Sequence, residues 1–386
     1  MTTPPTRPAD WDPRSPAVLD DQIAAYDAMR QRCPVAWSEY LWWSLFRHAD
    51  VMRVLHDPAT FSNAASNHLS IPNAMDPPEH TPYRRLINRY FTPERMAEFE
   101  PVCQRVATSL VRTLPRATPF ELMEALAHPF AVRGQCAFMG WPDRLHAPLR
   151  EWIGRNHAAT HAGDRAAMAR IALDFDGYIT EQLVLRRDAG ADAPQDVTTR
   201  LLGERVHDRA ITDEEIVSIV RNWTVGELGT MAASVGILVH YLAEHPTLAA
   251  RLRSHPAELS DAINEILRIH APLIANRRIT TCPVHVGERQ IDAGERLTIL
   301  WAAANRDEAV FRDPDRFDPE RNREHNLLYG AGLHVCPGAP LARLELCVLT
   351  RALLDATQVI ELVPGQRPER AHFPASGFER LVVRIV

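Results

Sequence analysis

Residues 326–343 read Asn326-Leu-Leu-Tyr329-Gly330-Ala-Gly332-Leu-His334-Val-Cys336-Pro-Gly338-Ala339-Pro-Leu-Ala-Arg343, and the rest of the chain is organised around them. One cysteine, Cys336, sits among Gly330, Gly332 and Gly338, and a helical pattern runs on from Ala339 towards Asp355. Glycines let the backbone turn tightly and let a large group approach it. A thiolate near a helix N-terminus gains from the dipole and from free backbone N–H groups. Two readings are open on this stretch alone: a sole anionic ligand for a buried metal, or a Gly-rich turn with an inert buried cysteine.

The totals narrow the field. The chain has 386 residues, enough for a large core in a single domain, with an extended proline-rich arm over residues 1–16. A net charge of −6 gives no nucleic-acid signature. The six cysteines form no CxxC pair, which argues against zinc, an iron–sulfur cluster or a disulfide framework, and fits a reducing cytoplasm. The N-terminus carries no apolar signal region, and no apolar run is long enough to span a bilayer. A soluble cytoplasmic protein with no nucleic-acid or membrane partner is therefore expected.

Along the chain, 35–39 and 41–45 predict a hairpin, and 80–90 a helix on which His80 and Arg84 share a face. Helix follows helix from Pro93 to about Ala189, broken near 115–119, 141–142 and Gly163. His157 and His161 have i, i+4 spacing, but no third metal ligand accompanies them. Thr212 and Glu215 make a capping box at the head of a long helix running to Glu244. Gly226 and Gly229 inside that helix each cost roughly 1 kcal/mol relative to alanine, a cost carried where something packs on the backbone. Glu265 and Arg268 lie at i, i+3 on the helix from Pro256 to His270, and Arg277 and Arg278 follow it. Short strands fill 279–300 and 359–386, with a proline- and aspartate-rich meander over 311–326. The fold class is thus mainly α with small β-sheets.

Four segments in this order resemble the cytochrome P450 family, the haem-thiolate monooxygenases, in its soluble bacterial form. Tyr329-Gly-Ala-Gly-Leu-His-Val-Cys-Pro-Gly is similar to the haem-binding loop, with Tyr329 for the usual Phe. Glu265-Ile-Leu-Arg268 is similar to the Glu-x-x-Arg helix, and Pro314-Asp-Arg316-Phe317 to the meander whose arginine joins that pair. Asp76-Pro-Pro-Glu-His80 to Arg84 is similar to the helix that holds a haem propionate. The resemblance implies the cytochrome P450 fold, with a long central helix over haem b and Cys336 as the iron ligand. Thiolate ligation favours O–O cleavage over oxygen carriage. His80, Arg84, Arg278 and His334 are the implied propionate partners, Gly330 and Gly338 shape the loop, and Glu265, Arg268 and Arg316 form a buried network.

The long helix departs from the family pattern. Where Ala/Gly-Gly-x-Asp/Glu-Thr is usual, the window reads Val225-Gly226-Glu227-Leu228-Gly229-Thr230. This register puts Leu228 at the acid position and Gly229 at the alcohol position, with Glu227 and Thr230 each displaced by one residue, about 100° of helical rotation. Either the helix bulges or protons arrive by another route. With Asn222-Trp-Thr and the loop from Asn67 to Asn73, the pattern resembles the branch that O-demethylates guaiacol-like aromatics, releasing formaldehyde and a phenol. On that resemblance Val225, Gly229, Ile274, Thr280, Leu69, Ile71 and Phe378 line an apolar substrate pocket. Dioxygen is the co-substrate, with electrons ultimately from NAD(P)H through a ferredoxin or an iron–sulfur flavoprotein reductase. Arg85, Arg89 and Arg343 are candidate steering charges for that donor, or ordinary surface arginines. The rival readings are a peroxide-driven peroxygenase, a C–H hydroxylase of another small hydrophobic molecule, and a non-enzymatic haem sensor.

Overall fold

The computed structural model describes residues 7–65, 68–321 and 323–386. Eight helices position the site: α1 (His80–Asn88), α2 (Pro93–Thr113), α3 (His128–Met139), α4 (His146–Ala162), α5 (Arg165–Ala189), α6 (Asp213–Glu244), α7 (Leu259–His270) and α8 (Ala339–Ala356). The expected breaks fall where left-handed glycines stand: Gly140 (φ 75°) closes α3 and Gly163 (φ 64°) closes α4.

The organising element is α6, 32 residues without a break. Its first turn is fixed by the expected reciprocal bonds. The Glu215 backbone N–H donates to Thr212 Oγ1 at 3.2 Å, and the Thr212 N–H to the Glu215 carboxylate at 2.7 Å. Three acidic residues, Asp213, Glu214 and Glu215, complement the helix dipole there. Most of its later length is apolar on every side and runs through the main core, against α3, α5 and α7. By length and composition α6 also qualifies as a membrane span, but 67% of that apolar window is buried within the protein, as in a core helix. α8 packs most extensively on α2.

A five-stranded sheet forms the second layer, in the order β1 (Val35–Ser38), β2 (Trp42–Leu45), β5 (Arg296–Leu300), β4 (Ala275–Thr280), β3 (Phe61–Ser62). The expected hairpin is there, with Val35 opposite Leu45 and Ser38 opposite Trp42. β2 and β5 run parallel, and the other neighbours are antiparallel. This sheet has its own apolar cluster, including Trp43, Leu45, Leu297 and Trp301. Four C-terminal strands complete smaller sheets: Ile360–Leu362, Glu369–Arg370, Phe378–Arg380 and Val382–Ile385.

α7 carries the buried ion pair. Arg268 Nε and Nη2 each donate to the Glu265 carboxylate at 2.8 Å, and the two side chains are 1% and 5% exposed. Arg268 also reaches the carbonyls of Asn305 (2.7 Å) and Pro314 (2.9 Å) and lies over the Phe311 ring. The meander is thereby tied to α7, but not by the arginine expected. Arg316 is exposed and pairs loosely with Asp318. Arg321, five residues on, turns inward, is 14% exposed and approaches Glu265 Oε1 at 3.9 Å. The meander turns around Asp313, which has a positive φ, and Arg321 grips that turn by bonding the Asp313 and Arg316 carbonyls. The segment is aperiodic, so spacing could not tell which arginine points in.

Candidate active site

The loop before α8 is built as its glycines demand. Gly330 and Gly332 take positive φ, and a Cβ on Gly332 would stand 2.5 Å from the Leu55 carbonyl oxygen, so only glycine fits there. The Cys336 N–H donates to the Tyr329 carbonyl at 2.8 Å, closing the loop. α8 starts three residues after the cysteine, and the Gly338 N–H, with a smaller share from the Ala339 N–H that also reaches the Cys336 carbonyl, bonds the sulfur. Burial still pushes the Cys336 thiol above its ordinary value; Gly338, Arg84 and Ala339 pull it down, and Glu227 opposes them. A coordinated metal would displace the thiol proton outright. All six cysteines are unpaired, and Cys336 opens onto the main cavity, whereas Cys103 and Cys136 are sealed in the core.

That cavity measures about 1490 Å³ and lies between α6 and the cysteine loop. One wall is cationic. Arg278 lines it, is 6% exposed, and its only hydrogen bond among those resolved runs to the Arg277 carbonyl. Burial holds the Arg278 guanidinium down to about 10. His334 lines the cavity too; burial, then His80, Arg278 and Arg84, push it down to about 3. His80, 1% exposed, stacks on His334 with ring centroids 4.3 Å apart. Both ring nitrogens of His80 and Nε2 of His334 are buried without a partner in the protein. Arg84 braces the group from α1, bonding Asn88 and the Leu333 carbonyl. Two buried histidines with unpartnered ring nitrogens and two arginines, beside a thiol that backbone N–H groups are set to stabilise as an anion, fit a cofactor that carries carboxylates and a thiolate-bound metal. The residues present fit haem.

Along α6, Val225, Gly226, Glu227, Gly229, Thr230 and Ala233 reach the cavity. Leu228 is 1% exposed and turned into the core, so it cannot occupy an acid position facing the site. No bulge rotates the helix. Thr230 presents a hydroxyl to the cavity, donating back to the Gly226 carbonyl at 2.7 Å, and Ser234, one turn on, lines it as well. A Cβ on Gly226 or Gly229 would meet nothing within 4 Å, so the expected room beside the helix exists.

The expected substrate residues divide. Val225, Gly229 and Phe378 line the cavity. Ile274 packs instead with Trp11, Tyr26 and Leu300 behind β4. Thr280 is 2% exposed, and its hydroxyl donates to the Asp292 carbonyl at 2.6 Å, where it fixes a turn beyond the cavity. Leu69 and Ile71 face away because their backbone is strapped to α6: the Ile71 N–H donates to Ser218 Oγ, Asn222 Nδ2 donates to the Ile71 carbonyl, and Arg221 to the Leu69 carbonyl. Ser70, Pro72 and Asn73 face the cavity in their place. Asn67, at the head of that loop, lies outside the described residues.

The structure adds Asn63 from the loop, Gln135 from α3, and Arg150 and Asn156 from α4 to a polar wall whose other members, Asn73 and Asn222, lie in stretches the sequence already marks. His157 lines this wall as well. Of the steering arginines, Arg85 is exposed, Arg89 pairs with Glu204, and Arg343 stacks over Tyr329 at 4.4 Å.

Comparison with known proteins agrees with this site. The cytochrome P450 family model matches residues 257–377. The erythromycin C-12 hydroxylase of Saccharopolyspora erythraea is 33% identical over 342 residues, covering 85% of each chain. The nocardicin C N-oxygenase of Nocardia uniformis subsp. tsuyamanensis is 34% identical, again over 85% of each. A solved structure of a mutant of P450 EryK with erythromycin B superposes with a TM-score of 0.86 at 28% identity, covering 95% of this chain and 97% of that one.

Proposed function

The chain belongs to the cytochrome P450 family, and from that premise we propose that it hydroxylates a substrate larger and more polar than a methoxyarene, drawing two electrons from an external iron–sulfur donor. It is a monooxygenase, as its relatives named hydroxylase, epoxidase and N-oxygenase are. Cys336 would hold haem b, with His80, Arg84, Arg278 and His334 as partners for its carboxylates, and the haem would supply dioxygen activation when bound. The chain's own residues position the rest. The Gly338 and Ala339 N–H groups tune the sulfur. Thr230 offers a hydroxyl to the cavity, and Gly226 and Gly229 keep the helix surface clear for substrate.

The observation that carries the substrate reading is the polar part of the wall: Asn73 and Asn156 face the cavity with their side-chain amides, beside Ser70 and Asn222, which bond each other and keep further hydrogen-bonding capacity. A small aryl ether needs few such groups, whereas a molecule with several oxygens can satisfy them. The narrower reading, O-demethylation of a guaiacol-like ring, draws less support, since Ile274, Thr280, Leu69 and Ile71 do not line the cavity and the relatives named above are a hydroxylase, an epoxidase and an N-oxygenase. Titrating ferric holoprotein with a panel of polyoxygenated macrolactones and cyclic peptides beside guaiacol and other methoxyarenes tests the choice. Saturable haem-band shifts are expected from the former at lower concentrations. Tight saturation by guaiacol with release of formaldehyde would restore the aryl-ether reading. Turnover with peroxide alone, matching that with donor and NAD(P)H, would favour a peroxygenase.

A further inference from the structure

Glu227 and Glu345 approach each other across the seam between α6 and α8. Glu345 is 1% exposed, and among the described residues neither of its oxygens receives a bond from any donor; nor does Glu227 Oε1, also buried. Two ionised carboxylates are acceptors only, so the contact between them is a hydrogen bond only if one carries a proton. The surroundings favour that proton. Burial raises both carboxyls; Glu227 pushes Glu345 up further while the bond from Glu345 pulls Glu227 down, so Glu345 is the member that holds the proton more tightly, with no cation among the groups acting on either. The facing titratable groups are Cys103 of α2 and, from the cysteine loop, Tyr329 and Cys336; all feel the negative charge of Glu227. α3 contributes Gly134, where a Cβ would sit 2.8 Å from Glu345 Oε1, so the absence of a side chain there admits the carboxyl. Glu227 lines the same cavity as Thr230 and Cys336, while Gly229 offers no acid.

We propose that Glu227 and Glu345 form a proton-sharing carboxyl pair that supplies protons to the cavity, with Glu227 the member that delivers and Glu345 the residue that positions it. This deepens the monooxygenase reading and rests on it for the proton's destination. One proton leaves the pair for the cavity, one is taken up from solvent, and no electron moves within the pair. Reduction of dioxygen to peroxide consumes two electrons and two protons, so proton supply can be read without knowing the substrate.

The test uses full-length holoprotein and the E227Q and E345Q variants. Infrared difference spectra at neutral pH, wild type minus variant, are expected to show a protonated-carboxyl band that shifts in heavy water and is lost in both variants. Absence of that band from the wild type overturns the proposal whatever the enzyme oxidises. With a surrogate ferredoxin, its reductase and NADPH, substrate-free oxygen consumption by E227Q should fall at least about tenfold, since positioned acids contribute about 10²–10⁴ and water replaces part of that. Its solvent deuterium effect should change, with the ferric and carbon monoxide spectra unaltered. Oxygen consumption within about twofold of wild type overturns the delivery role. If E345Q does not accumulate as holoprotein, E227Q alone carries both readouts. Loss of the substrate titrations with the band intact would sink the proposed function and leave the pair standing.

Discussion

Replacing Glu265 with alanine isolates the largest single electrostatic demand in the scaffold. The wild-type carboxylate accepts two 2.8 Å bonds from Arg268 and one at 3.2 Å from the Asp318 N–H, and both charged side chains are at most 5% exposed. In Glu265→Ala the guanidinium keeps the Asn305 and Pro314 carbonyls and the Phe311 ring, all neutral. A buried charge stripped of its partner costs about 3–5 kcal/mol, a large share of the roughly 5–15 kcal/mol that holds a domain folded. The meander should loosen with it, because Asp318 and Arg321 both lean on the same carboxylate. Urea unfolding of the purified protein, with haem per chain measured in parallel, should show a much lower midpoint and poor haem loading. Exposed Arg316→Ala is the matched control and should stay within about 0.5 kcal/mol of wild type. Arg321→Ala should fall between the two. The double variant Glu265→Leu with Arg268→Met should recover part of the loss, since removing both charges leaves neither stranded. If Glu265→Ala unfolds with Arg316→Ala and loads haem normally, the buried-network argument is wrong.

Arg278→Ala removes the cation that lines the cavity, so haem transfer to an acceptor globin should speed up by at least about tenfold, in line with a lost charge-assisted bond of about 1.5–3 kcal/mol. Gly332→Ala puts a methyl against the Leu55 carbonyl at a positive φ and should cut the share of holoprotein with a thiolate-type carbon monoxide spectrum. Gly229→Val should fold normally, because its Cβ meets nothing, but should weaken haem-band shifts with bulky ligands. Burial, with Arg306, Arg370 and His240 adding, pushes His270 down to about 4. The folded protein therefore binds fewer protons there than the unfolded chain, and stability present above about pH 6.5 is lost as pH falls towards 4, by up to about 3 kcal/mol. His270→Asn should flatten that slope in urea midpoints measured across this range.

What was legible in the sequence was local. The capping box of Thr212 and Glu215, the i, i+3 pair on α7 and the glycine-bracketed cysteine each depend on neighbours a few residues away, and each stands as expected. What escaped depends on which side of an irregular segment faces inward. Ile71 and Ser70 are adjacent, yet one lies in the core and the other faces the cavity, because Ser218 and Asn222 of a distant helix fix the strand between them. Leu228 and Thr230 differ by two residues on a continuous helix, and only packing reveals that the leucine belongs to the core. The choice between Arg316 and Arg321 follows the same rule. The pairing of Glu227 with Glu345 joins residues more than a hundred positions apart, and no spacing pattern announces it.

The cluster of His80, Arg84, Arg278 and His334 has a further consequence, for abundance rather than catalysis. Burial and the neighbouring arginines hold His80 and His334 below their ordinary values, and three of their ring nitrogens lie buried without partners among the described residues, so the chain by itself carries a built-in instability at its centre. A dianionic ligand that binds only the folded form removes that instability and adds its own binding free energy to folding. The amount of intact protein in a cell should then follow haem supply, and cofactor-starved chains should be cleared by proteolysis from the open state. On the proposed haem site, the same four residues that would hold the cofactor make its arrival a checkpoint for the survival of the polypeptide.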